Sequence, residues 1–216
     1  MDRAARWAGL WQRLGARGDG GAMLRDLERH YGDARRHYHD LTHLDAVLEA
    51  FDGLRHLCDR PDEAEAALWL HDVIWRGGDD DEGASAAWGD ARLAAAGVDG
   101  EVRERIAALV CATRHDGPPA SRDAAVVQDA DLAVLAADPA TFDRYEAAVR
   151  REYAHVDDAA FRSGRAAVLR RFLERPAIFA TAPMRDHAEG TARANLRRSL
   201  ARLQATGAVG EGHGPP

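Results

Sequence analysis

Large apolar residues recur along the chain at three- and four-residue spacing and nowhere alternate for long, so the pattern predicts helices throughout. Trp7, Leu10, Trp11 and Leu14 mark a first helix, and Leu24, Leu27 and Tyr31 a second. The stripe Leu41, Leu44, Val47, Leu48, Phe51, Leu54 and Leu57 marks a third. Arg60-Pro61-Asp62 breaks that stripe and opens a helix that the pattern carries through Trp75. Further helices are predicted from Glu82 to Ala96, around Val102–Val110, from Ala124 to Ala136, from Pro139, around Phe161–Leu173, and from Met184 to Leu203. No repeat and no long linker divides them. The expected fold is a single all-α domain, a compact helical bundle over 1–205, with a Gly-rich disordered tail over 206–216.

One stretch departs from the ordinary amphipathic pattern. Ala66-Ala67-Leu68-Trp69-Leu70-His71-Asp72-Val73-Ile74-Trp75 is apolar almost all round, which predicts a buried helix with an imidazole and a carboxylate in its middle. A buried carboxylate must be paired, hydrogen-bonded or bound to a metal. His-Asp also occurs at 39–40 and 115–116, so the dipeptide means little without this setting. Two other residues offer partners. His43 borders the stripe of the preceding helix, and Asp131 lies in a second strongly apolar segment. Alone, His43 reads as a helix-surface residue and Asp131 as the partner of an Arg. Together with His71 and Asp72 they make a mixed nitrogen and oxygen set suited to Mn, Mg, Ni, Co, Fe or Zn.

Composition narrows the partners. The chain is 46% hydrophobic over 216 residues, enough for one sizeable core. All its basic residues are Arg, and the net charge of -7 argues against a nucleic-acid-tracking surface. The absence of an N-terminal apolar leader or a long uncharged run leads us to expect a cytoplasmic protein with no membrane partner. Cys58 and Cys111 are expected to be buried thiols rather than a disulfide. The oligomeric state is open, with a homodimer as the candidate.

The order His43, His71-Asp72, Asp131 resembles the H…HD…D pattern of the HD-domain metal-dependent phosphohydrolase superfamily. More of the chain resembles its bacterial predicted-phosphohydrolase branch: Arg36-His37-Tyr38-His39-Asp40-Leu41-Thr42-His43, Ala67–Trp75, Asp81-Glu82-Gly83-Ala84-Ser85-Ala86, Ala112-Thr113-Arg114-His115, Asp129-Ala130-Asp131-Leu132, Arg150-Arg151-Glu152-Tyr153, Gly164-Arg165 and Glu189–Asn195. The likeness spans about residues 30 to 200 in consistent order. It departs at Asp81, where the branch often has Asn, and at Ala136, where it often has Gly. The resemblance implies an HD-type helical fold, a divalent ion held by His43, His71, Asp72 and Asp131, and hydrolysis of a small phosphate ester such as a nucleotide by a metal-activated water. Asp72 would also orient that water.

Outer residues carry two readings each. His39 lies four residues before His43 and touches substrate or metal if the helix starts that early; otherwise it is a helix-start residue. His115 closes a helix, where a cation suits the dipole, or contacts phosphate or a second metal. Glu82, with Ser85, begins a helix, or Glu82 moves a proton. Arg165 falls on an inward face and needs an anion, either a carboxylate such as Glu152 or a substrate phosphate. Arg36, Arg114 and Arg151 are further phosphate-binding candidates, and Glu189 with Arg193 reads as an i, i+4 ion pair. The competing function is a non-catalytic nucleotide- or partner-binding module using the same pocket. A ferritin-like di-iron oxidase ranks last, because Glu152-Tyr153-Ala154-His155 is the one Glu-x-x-His segment.

Overall fold

Aspartate starts most of the helices. In a computed structural model of the chain, which describes residues 2–78 and 80–208, the side chains of Asp2, Asp19, Asp40, Asp99, Asp138 and Asp157 each accept a first-turn amide hydrogen bond. Each such cap is worth about 1 kcal/mol. The described residues are all-helical, with no strand. None of the described helices is long and apolar enough to cross a membrane. The part of the expected tail from Val209 onward lies outside the described residues.

By its internal contacts the chain forms two units, one ending at Asp131 and one beginning at Leu132. The first holds α1 (Arg3–Arg13), α2 (Gly20–Tyr31), α3 (Leu41–Leu54), α4 (Pro61–Leu70), α5 (Asp81–Ala95), α6 (Gly100–Ala112) and α7 (Arg122–Asp131). Helix α4 is the axis of this unit and packs on α1, α3, α5, α6 and α7. Every residue from Glu63 to Leu70 is buried. Trp69 meets Trp7 edge-on at 5.2 Å, while Leu44, Val47, Leu48 and Phe51 supply the facing stripe of α3. Glu65 is buried as well, against Arg6, Arg13 and Arg55.

Leu132–Ala136 form a 3-10 turn, followed by α8 (Pro139–Glu152), α9 (Asp158–Glu174), α10 (Ala182–His187) and α11 (Glu189–Ala208). Leu132, Leu135, Phe142, Leu169, Phe172, Phe179 and Leu196 are among the core residues of this unit. Asn195 donates to the carbonyls of Leu135 and Ala137, satisfying the end of the 3-10 turn.

Three element ends differ from the pattern. The apolar run 124–136 is an α-helix only to Asp131, where it tightens into the 3-10 turn. The last predicted helix is two helices meeting at Ala188. Helix α4 stops at Leu70, so His71 and Asp72 lie just past a helix end rather than in its middle. Tyr31 and Ser85 are among the residues that hold that end. The Tyr31 hydroxyl, wholly buried, donates to the Trp69 carbonyl and accepts the Asp72 amide, each at 3.2 Å. Ser85 Oγ bonds both the amide and the carbonyl of Ile74, so Ser85 fastens α5 to the turn rather than capping α5.

Helix α5 approaches the end of α4 so closely that a Cβ on Gly89 would lie 2.8 Å from Leu70 Cδ1. Gly89→Ala is therefore expected to destabilise the protein by about 1–3 kcal/mol through displacement of Leu70, the residue before His71. Chemical denaturation measures it, and a change inside about 0.5 kcal/mol would show that the contact yields freely.

Candidate metal centre

His43 belongs to the first turn of α3, whose start Asp40 fixes by accepting the amides of Thr42 and His43 at 2.8 and 3.2 Å. His71 follows the last residue of α4, and its Nδ1 lies 2.8 Å from the Leu68 carbonyl. A carbonyl only accepts, so Nδ1 carries the hydrogen and the neutral ring presents its Nε2 lone pair. That atom faces His43 Nε2 at 3.2 Å. Asp131, the last residue of α7, places Oδ1 3.3 Å from His43 Nε2 and 3.5 Å from His71 Nε2. One ligand atom each from His43, His71 and Asp131 all lie within 4.8 Å of one another, a group that can hold a metal ion. Asp72 Oδ2 is 3.1 Å from His71 Nε2 and 3.4 Å from His43 Nε2.

The electrostatics of this cluster call for positive charge. Burial alone would raise the Asp72 and Asp131 carboxyls, but the facing histidines hold both well below the ordinary carboxylate range. Burial alone would lower the two imidazoles, but Asp72 and Asp131 raise His43, and raise His71 well above the usual value. Two carboxylates are thus balanced by two imidazolium protons or by one divalent cation. The donor set fits such an ion, because Nε2 of a neutral His71 already points inward and its other nitrogen is occupied.

The sign of the pH dependence follows. Raised histidines add stability that is complete below their ordinary pKa of 6.5 and lost as pH rises through the higher folded values. Depressed aspartates add stability that is present above 3.8 and lost as pH falls through the lower folded values. Chelator-treated protein is therefore expected to gain most from this cluster between pH 3.8 and 6.5. Adding a divalent metal should extend the high-stability range to alkaline pH and release protons. Thermal melts across pH, with and without metal, measure the first effect, and calorimetry in buffers of different ionisation enthalpy measures the second. Equal pH profiles in the two states would contradict it.

Around the four residues stand others expected from sequence. His115 adopts a left-handed backbone, φ 53°, uncommon for a residue with a side chain. Its Nε2 donates to Asp131 Oδ2 at 2.7 Å, so this histidine orients the carboxylate. Burial, with Asp72 nearby, raises the Glu82 carboxyl from its ordinary value. Arg114 pairs with Asp80 and lies 3.8 Å from Glu82. His39 precedes the N-cap of α3 rather than sharing that helix, yet its ring is 5.8 Å from that of His43.

Arg36 and Arg165 are both engaged by groups of the protein, Arg165 by a carboxylate, one of the two partners expected for it. Arg36 is 8% exposed and donates to the carbonyls of His39, Asp72 and Val73 at 2.9, 2.6 and 2.9 Å. It ties the segment before α3 to the turn after α4. Arg165 lies in the second unit and bonds the Tyr145 hydroxyl and Glu146, not Glu152. Arg151 is exposed near the end of α8. Glu189 and Arg193 form the expected pair at 2.6 Å. Both cysteines are free and half-buried, and burial with Asp123 pushes the Cys58 thiol up to about 12.

The roles of Tyr31, Ser85 and Arg36 in holding the turn after α4 were not expected from the sequence. Tyr31 carried one signal, a hydroxyl on the inner stripe of an apolar helix face, which when buried must find partners. Compared with known proteins, the chain matches no family model, no curated protein and no solved structure.

Proposed function

We propose that the chain is a metal-dependent phosphohydrolase of the HD-domain type, acting on a small phosphate ester such as a nucleotide. The observation that carries this is the convergence of His43, His71 and Asp131 on one point, with Asp72 against both imidazoles. Those four residues would hold the ion. When bound, it would polarise a phosphoryl oxygen and lower the pKa of water at the site.

The chain's own residues have separable tasks. Asp72 and Asp131 balance charge, and His115 fixes the orientation of Asp131. The Leu68 carbonyl fixes the tautomer of His71. Glu82, raised by burial, is suited to exchanging a proton with water or a leaving group. Arg114 beside Glu82 is the candidate cation for the substrate phosphate, in exchange for Asp80.

The test is metal content together with phosphate release over a panel of nucleotides and simple phosphate esters, with Mn, Mg, Ni, Co, Fe and Zn. The expected result is bound metal and turnover that both depend on Asp72, with Asp72→Ala as the control. Full metal and activity in Asp72→Ala would reject the assignment. Ligand-dependent thermal stabilisation without turnover under every metal would favour the binding-module reading.

A further inference from the structure

We propose that Trp75, stacked on His39 beside the metal centre, is a shelf that binds a flat aromatic ring of the substrate. The proposal deepens the hydrolase reading and rests on it for the position of the phosphate. Its support is geometric. The Trp75 and His39 rings lie 5.4 Å apart and 21° from parallel. Tyr38 meets His39 edge-on at 4.9 Å and packs 4.6 Å from His43. The His39 ring is 5.8 Å from the His43 ring. Trp75 is thus two ring contacts from a residue of the metal group.

All three aromatic residues are half-buried, so the shelf retains access to solvent. It is also held still. Arg36 binds the carbonyl of His39 on one side and those of Asp72 and Val73 on the other. Ser85 pins Ile74, the residue before Trp75, through both backbone polar groups. A pre-set ring surface loses little entropy when a ligand ring stacks on it. The metal group and the shelf together fit a phosphate joined to an aromatic ring system, either a nucleobase or a simple aryl group. Indole stacking tolerates any such ring, because every base has a π-face.

The test compares adenosine 5′-monophosphate with ribose 5-phosphate, which lacks only the base, and with phenyl phosphate. Wild type, Trp75→Ala and Trp75→Phe are each loaded with metal and assayed for equilibrium binding and for KM. Wild type is expected to bind adenosine 5′-monophosphate more tightly than ribose 5-phosphate. Trp75→Ala should shrink that preference by on the order of tenfold at unchanged metal content. Trp75→Phe should restore most of it. The same dependence for phenyl phosphate identifies a general aryl site, and dependence for the nucleotide alone identifies a base site; both support the shelf. A uniform weakening of all three ligands in Trp75→Ala, no change in any, or failure of wild type to bind adenosine 5′-monophosphate would overturn it. Trp75-dependent binding without phosphate release would sink the hydrolase reading and leave the shelf standing.

Discussion

Replacing Asp131 with alanine is expected to strip the metal from the protein and to reduce phosphate release by at least on the order of 100-fold, the upper range for losing a mere supporting contact. The reason is the number of groups that depend on one carboxylate. Its Oδ1 faces both His43 and His71, and its Oδ2 accepts from His115. Without it the His43–His71 pair keeps Asp72 as its facing carboxylate, so positive charge is no longer matched inside the cluster. The metal-free variant should therefore also melt earlier than metal-free wild type. Asp131→Asn preserves the shape and removes the charge. It should lose metal like the alanine variant while keeping more of the stability. Metal stoichiometry, phosphate release and thermal melts read the three quantities separately. Retention of full metal and activity by Asp131→Ala would remove Asp131 from the site.

The second large effect is expected in α4, the helix that ends just before His71. Glu65→Ala should destabilise the protein by about 3–5 kcal/mol, the cost of breaking a buried ion pair from one side. In a chain of this size that lowers the melting temperature by roughly 10 °C. Only 2% of the Glu65 side chain is exposed, and three guanidiniums converge on it. Arg6 also pairs with Asp52, while Arg13 and Arg55 share Asp62, so the network carries other carboxylates that soften the loss. Glu65→Gln, which can still accept hydrogen bonds, should fall between wild type and alanine. A loss below about 1 kcal/mol would mean that this buried cluster behaves as a surface pair does.

Much of the first unit was legible because periodicity reports burial. The stripe from Leu41 to Leu54 read correctly as the core face of α3, and the break at Pro61 read correctly as the start of α4. The proximity of His43, His71, Asp72 and Asp131 was legible for a different reason. Buried polar residues must be satisfied, and few others were available in apolar surroundings. The end of α4 was not legible. Val73 and Ile74 continue the apolar run, and a buried turn is as apolar as a buried helix. What allows the turn is supplied from distant parts of the chain. Tyr31 takes the Asp72 amide, Ser85 takes both polar groups of Ile74, and Arg36 takes two carbonyls. The same distance hides the work of arginines. Arg36 and Arg165 look alike in sequence, and only tertiary structure gives one a set of carbonyls and the other a glutamate and a tyrosine.

The attachment of His71 and Asp72 to the end of α4 has a kinetic consequence. The imidazole is tethered to the carbonyl three residues back, and the next amide is tethered to a buried hydroxyl. The imidazole cannot swing away while the first bond persists, and the second fixes the backbone from which the Asp72 side chain extends. An ion held there would be released from His71 when the helix end opens. Residence time then follows the frequency of local unfolding. A chelator in excess would collect the ion at a pace set by the protein, whatever the chelator's concentration.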